Sequence, residues 1–176
     1  LLQDPSLYVR KSVANHLNDI SKTHPEYLIE RIERHLGSHP NTDWILRHAS
    51  RTLLKRGNPE VLQLLGHVTQ GDVTVEDLSV SPVTIGGELD FSFTVTSSVP
   101  QRLRLEYAID YVKQRRTSRK VFQLREREVK GELKVERRQS FRNMTTRVHY
   151  PGTHTLTILI NGEAYATAPF EVEEEI

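Results

Sequence analysis

Apolar residues recur at helical spacing over the first third of the chain and at every second position over most of the rest. Val9, Val13, Leu17 and Ile20 stand three or four residues apart, which puts them on one helix face. Asp4 before Pro5 reads as an N-cap with proline at the first helical position, where its missing N–H removes no bond. Pro25 stops this helix and opens a second, with Tyr27, Leu28, Ile32 and Leu36 as its apolar face and Gly37 as its end. Ser38 to Thr42 is predicted as a turn. A third helix starts at Asp43, carries Ile45, Leu46, Ala49, Leu53 and Leu54, and stops at Gly57; Asn58-Pro59 opens a short fourth over Val61, Leu62, Leu64 and Leu65. Short turns between these helices predict stacked antiparallel pairs with a unit of roughly 35 residues. About three such units are usually needed for stability. Two pairs, in a chain that begins at Leu1 with its lone Met at position 144, therefore lead to the expectation that further helices precede them.

From residue 75 the period is two. Val75 to Val80, Leu89 to Val95, Leu103 to Tyr111, Val121 to Leu124, Leu133 to Phe141, Thr153 to Ile160 and Tyr165 to Val172 all read as strands. Asn161-Gly162 between the last two is a hairpin signal, because both residues accept positive φ. About seven strands in roughly 100 residues predict an antiparallel sandwich of immunoglobulin type. The expected division is 1–66 helical, 67–74 linker and 75–176 sandwich. The fold class is thus a multidomain chain, α then β, with HEAT-like antiparallel helical repeats followed by an Ig-like antiparallel β-sandwich.

With no cysteine among 176 residues, disulfide frameworks, thiolate zinc sites and thiol catalysis are excluded. No apolar run approaches the roughly 18 residues of a membrane-spanning helix, so no membrane partner is expected. The net charge is only +1, but residues 113–147 carry 13 Lys and Arg against 4 Asp and Glu, a local +9 that leaves −8 for the rest. Lys113-Gln-Arg-Arg-Thr-Ser-Arg-Lys120 is the densest part, with Arg137-Arg138, Arg142 and Arg147 as possible neighbours. Arginines on a strand loop can follow a phosphate backbone or enter a minor groove. Charge that protects an edge strand from aggregation gives the same pattern.

Two polar stripes interrupt the helical faces. Ser12, Asn15, His16 and Asp19 share one face of the first helix, and Trp44, Arg47, His48, Arg51 and Lys55 form another on the third. Short polar residues often line sites, and a tryptophan beside arginines suits phosphates and a planar or cationic group. Hydrogen bonding to a neighbouring helix, and a tryptophan that merely caps the core, account for the same residues. The histidines show no metal-binding spacing, so no metal or other cofactor is expected.

Three stretches together carry a resemblance: Val9-Arg-Lys-Ser-Val-Ala-Asn-His-Leu-Asn-Asp-Ile-Ser-Lys22, Trp44-Ile-Leu-Arg-His-Ala-Ser-Arg-Thr-Leu-Leu-Lys-Arg-Gly57, and Thr145-Thr-Arg-Val-His-Tyr-Pro-Gly-Thr-His154 followed by Asn161-Gly162. Along essentially its whole length the chain resembles the C-terminal part of the DNA alkylation repair glycosylases built from HEAT-like repeats, in the AlkC branch that adds an Ig-like domain. The resemblance implies a monofunctional glycosylase, cytoplasmic and monomeric. Its partner would be double-stranded DNA with alkylated bases, from which it releases cationic bases such as 3-methyladenine or 3-methylcytosine without flipping them. A cationic base is already a good leaving group; the protein's part is a carboxylate that stabilises an oxocarbenium-like transition state. By resemblance Asp19 is the candidate catalytic carboxylate and Trp44 the aromatic contact, while Arg10, Arg47 and Arg51 are candidate backbone contacts. Arg115, Arg116, Arg119 and Lys120 are the sandwich residues expected on DNA. The competing expectation is a non-catalytic HEAT/Ig-like adaptor that binds DNA or protein.

Overall fold

Pro25, Pro40 and Pro59 each occupy the first position of a helix in the computed structural model, which describes residues 1–174. The helices are α1 (Leu7–Ser21), α2 (Pro25–His35), α3 (Pro40–Ala49), α4 (Arg51–Lys55) and α5 (Pro59–Leu64). They form one compact unit, Leu1–Val68, and the strands form a second from Thr69 onward. Leu28, Ile32, Ile45, Leu46 and Val61 are completely buried in the helical core, and each contributes about 1.5–3 kcal/mol by leaving water.

Three helix boundaries differ from expectation. Asp4 does not cap α1: its Oδ1 accepts from the Ser6 amide at 2.8 Å, a local turn that leaves Ser6 as the residue before the helix. The third helix starts one turn early, within the expected turn 38–42, because the His39 ring accepts from the Asn41 amide at 3.1 Å and supplies the cap. It also divides at Ser50, whose hydroxyl donates to the Leu46 carbonyl at 2.7 Å. A serine that bonds back into the preceding turn competes with the helical ladder. The new helix end this creates is met by Asn18 of α1, a buried side chain whose Oδ1 accepts from the Thr52 amide at 3.2 Å.

The second unit holds β1 (Val73–Val80), β2 (Val83–Thr84), β3 (Glu88–Val112), β4 (Thr117–Ser140), β5 (Gly152–Ile160) and β6 (Glu163–Glu173). Of the expected strands, Leu89–Val95 and Leu103–Tyr111 are two halves of β3, and Val121–Leu124 and Leu133–Phe141 lie along the continuous β4, with Phe141 just past its end. The joint in β3 is an irregularity between Ser97 and Gln101; opposite it, β4 turns at Gly131, whose φ of 69° a side chain would strain. The first half of β3 pairs with β1 and the second half of β4, the second half with the first half of β4 and with β5, and β5 pairs with β6. All these pairings are antiparallel; among the described residues only the two-residue β2 runs parallel, to β6. Phe91, Phe93, Val95, Leu105, Tyr107, Ile109, Leu156 and Ile158 fill a core shared by both halves. The hairpin signal at Asn161-Gly162 corresponds to the β5–β6 turn, with φ of 49° and 81°. Glu175 and Ile176, the end of the expected sandwich, lie outside the described residues. Among the described residues no helix is long and apolar enough to cross a membrane.

Candidate functional site

The two polar stripes meet because α1 packs along α3 and α4. Arg51 Nη2 donates to Asn15 Oδ1 at 3.0 Å, while Nη1 donates to the His48 carbonyl at 2.9 Å. One turn back from Arg51, the His48 ring stacks on Trp44, with centroids 4.9 Å apart and planes within 9°. The Arg10 guanidinium lies 5.3 Å from the centre of the Trp44 ring and donates to Asn41 Oδ1 at 2.7 Å. Arg10, Trp44, His48, Arg51 and Asn15 therefore form a connected row. Inter-helix hydrogen bonding and the tryptophan's packing on the core, offered above as alternatives to a site, are both present in it.

Asp19 stands one turn beyond Asn15 on an open face, its side chain 66% exposed. Lys22 donates to Asp19 Oδ1 at 2.7 Å. That hydrogen bond and charge, with smaller contributions from Arg51 and His16, hold the carboxyl below the usual range despite slight desolvation. The carboxylate is ionised at neutral pH. The His48 pKa is lowered as well, by burial first and then by Arg51 and Lys11, which for a base favours the neutral ring at pH 7. The face thus carries an anion, a neutral aromatic stack and several fixed cations.

Arg47 does not join this row. It points toward the end of α5, where Nη1 donates to the Leu65 carbonyl at 3.4 Å. Position 47 follows Trp44 at helical spacing, but the side chain turns away from the α1 side.

In the strand unit, Arg115 and Arg116 are exposed on the four-residue loop between β3 and β4, closed by the Lys113 amide donating to the Arg116 carbonyl at 2.9 Å. Lys113 Nζ reaches the Val148 carbonyl at 2.7 Å and lies over the rings of Tyr111 and Tyr150. Burial lowers its pKa, and the charges of Lys120 and Arg147 add to that, which places both close by. Arg119, on β4, sits with Nε 3.9 Å from Asp110 Oδ1 and is partly neutralised. Arg138 is drawn to Asp90 at 2.9 Å and to Glu88 at 3.9 Å, in the other half of the β3–β4 ribbon.

A buried aromatic group that no local pattern marks lies beneath this basic end. His149 is 3% and His154 0% exposed. His149 packs on Phe141 at 4.7 Å and on Tyr111 at 5.5 Å, and His154 meets Phe170 at 5.6 Å. Burial, with the charges of Lys113 and Arg147, lowers the His149 pKa to about 4. A histidine in a polar stretch carries no sign of such burial. The same holds for Arg104, an apparently outward residue that is buried with Glu106, Nη2 to Oε2 at 3.1 Å. No cluster of three or more His, Asp or Glu that could hold a metal ion occurs among the described residues.

Residues 74–174 match the family model described as the C-terminal Ig-like domain of the uncharacterised protein YhaZ. The chain is 49% identical to the uncharacterised protein YhaZ of Bacillus subtilis (strain 168) over 98% of its own length and 50% of that protein's. It is 45% identical to the alkylpurine DNA glycosylase AlkC of Pseudomonas fluorescens, solved bound to DNA containing an abasic site analog. Their structures superpose with a TM-score of 0.91 over 98% of this chain and 50% of AlkC. The chain spans about half the length of each of these relatives.

Proposed function

The chain belongs to the family of the YhaZ C-terminal Ig-like domain, and on that premise we propose that it is the C-terminal part of a DNA repair glycosylase of AlkC type. Its substrate would be duplex DNA bearing cationic N3-alkylated bases, 3-methyladenine or 3-methylcytosine. The observation that carries the reading is the Asp19 carboxylate, kept ionised on an open face within the field of Arg51, which ties α1 to the helix bearing the neutral Trp44–His48 stack.

The chemistry follows from those groups. When the N-glycosidic bond breaks, its electron pair goes to the ring nitrogen and cancels the base's positive charge. Positive charge then develops on the sugar at C1′, and a fixed carboxylate stabilises it. Water adds to C1′ and gives its proton to Asp19 or to solvent. The Trp44 ring face now covered by the Arg10 guanidinium would take a cationic base when Arg10 swings to a phosphate. Enzymes that flip bases enclose them in a snug pocket, whereas an exposed Asp19 suits a sugar approached from outside a stacked duplex. In this reading Arg10 and Arg51 hold phosphates of the helical contact. Arg115, Arg116 and Lys120 hold those of the sandwich, and Arg119 contributes less because of Asp110. The helical unit would supply the last of the HEAT-like repeats.

The test is release of free base from duplex DNA containing 3-methyladenine or 3-methylcytosine, by this chain and by a longer protein with upstream helices. Release by the longer protein is expected. A longer protein that folds and binds duplex DNA but releases neither base would leave the adaptor reading in its place.

A further inference from the structure

The segment 141–150 between β4 and β5 is held unusually firmly for a surface connection. Phe141 is fully buried, and its backbone exchanges hydrogen bonds with Gly86 and Gly87 at 3.1 and 2.9 Å. At the other end His149 is plugged between Phe141 and Tyr111. Between these anchors the His149 amide donates to Asn143 Oδ1 at 2.8 Å, and Lys113 Nζ grips the Val148 carbonyl. Met144 and Arg147 exchange two backbone hydrogen bonds, 2.8 and 3.0 Å, around a two-residue turn at Thr145-Thr146. Directly opposed residues of such a turn send their side chains to the same face. Yet the tip so rigidly built presents Met144 to solvent, 55% exposed.

An apolar side chain on a preorganised tip, with Arg147 opposite it, Arg142 two residues before it and Lys113 holding the same segment at Val148, fits a partner that is anionic outside and apolar within. A nucleic-acid duplex has that profile: phosphates flank a stack of bases whose steps admit apolar wedges such as Met. We propose that Met144 is a duplex wedge that enters a base step while Arg147, on the same face, holds an adjacent phosphate. This rests on the reading of the chain as a DNA-binding protein and adds the group that would open the duplex.

The probe is a duplex with an abasic-site analogue and 2-aminopurine in the adjacent pair, titrated with the full chain at low salt. Binding is expected to raise the 2-aminopurine fluorescence several-fold. With the duplex saturated, Met144→Ala and Met144→Ser should lose most of that rise, and Met144→Leu, similar in volume, should keep it. Duplex binding with no rise, or an equal rise in Met144→Ala, overturns the wedge and leaves the DNA reading standing. No duplex binding at all overturns both. Because Met144 is exposed on the tip, the variants are expected to fold as the parent does, which circular dichroism checks.

Discussion

Arg51 is bound at both ends of its guanidinium, to Asn15 Oδ1 on α1 at 3.0 Å and to the His48 carbonyl on α3 at 2.9 Å. It is therefore not a free surface cation. It fastens the second polar stripe to the first and fixes positive charge within range of Asp19. An arginine already positioned in this way loses little further side-chain freedom when it meets a phosphate.

Asp19→Asn, in the longer protein, is expected to lower base release on the order of 10²–10³-fold with duplex affinity unchanged. Single-turnover release assays beside a binding titration separate the two effects. Activity that needs the carboxylate is present above its pKa and lost as pH falls through it. Lys22 holds that pKa down, so the acid limb should lie below the ordinary aspartate range in the parent and move up in Lys22→Ala. An acid limb that does not move in Lys22→Ala would detach the limb from Asp19.

Arg115→Ala and Arg116→Ala should each weaken duplex binding about equally across sequences and reduce the slope of log K against log salt by about 1. Arg47→Ala, whose side chain is turned toward the Leu65 carbonyl, should leave that slope unchanged. Salt titrations of the three variants check the contrast.

The His149 pKa lies at about 4 in the folded chain, against an ordinary value of 6.5; His154 is lowered too. Below 6.5 the unfolded state takes up protons that the folded state refuses. Stability is therefore full above about pH 6.5 and falls as the pH drops toward 4, by about 3 kcal/mol at most for His149. Thermal melts between pH 7 and 4.5 should show this decline, and His149→Phe should flatten it.

Asn161→Ala should destabilise the strand unit by about 1–3 kcal/mol. The change forces alanine into a φ of 49°, and it strips the Arg104 amide of the side-chain Oδ1 it donates to at 3.0 Å. Asn161→Gly, which relieves the backbone but not the hydrogen bond, should fall between the two in urea unfolding.

Local signals carried much of the architecture. Pro25 and Pro59 open helices where the sequence puts them, because a proline suits the first turn and little else in a helix. Strand alternation at Leu89–Val95 reflects one buried face, whereas Leu103–Tyr111 is buried on both; alternation cannot tell two strands from one bent strand, and the joint at Ser97–Gln101 has no marker as loud as Asn161-Gly162. The Asp4 cap failed for a related reason: the same side chain satisfies either a helix N-terminus or a two-residue turn, and the turn is more local.

The linear pattern of residues determined the change from a helical to an alternating period, the β5–β6 turn, the stripes and the basic stretch, since each depends on neighbours within a few positions. Tertiary structure decided what each charge and ring is worth. It turned Arg47 away and tied Arg51 in, paired Arg119 with Asp110, and neutralised His48 and His149. Burial and ion pairing depend on which distant segments come together, and for Arg51 and Asn15, 36 positions apart, no local spacing records that meeting.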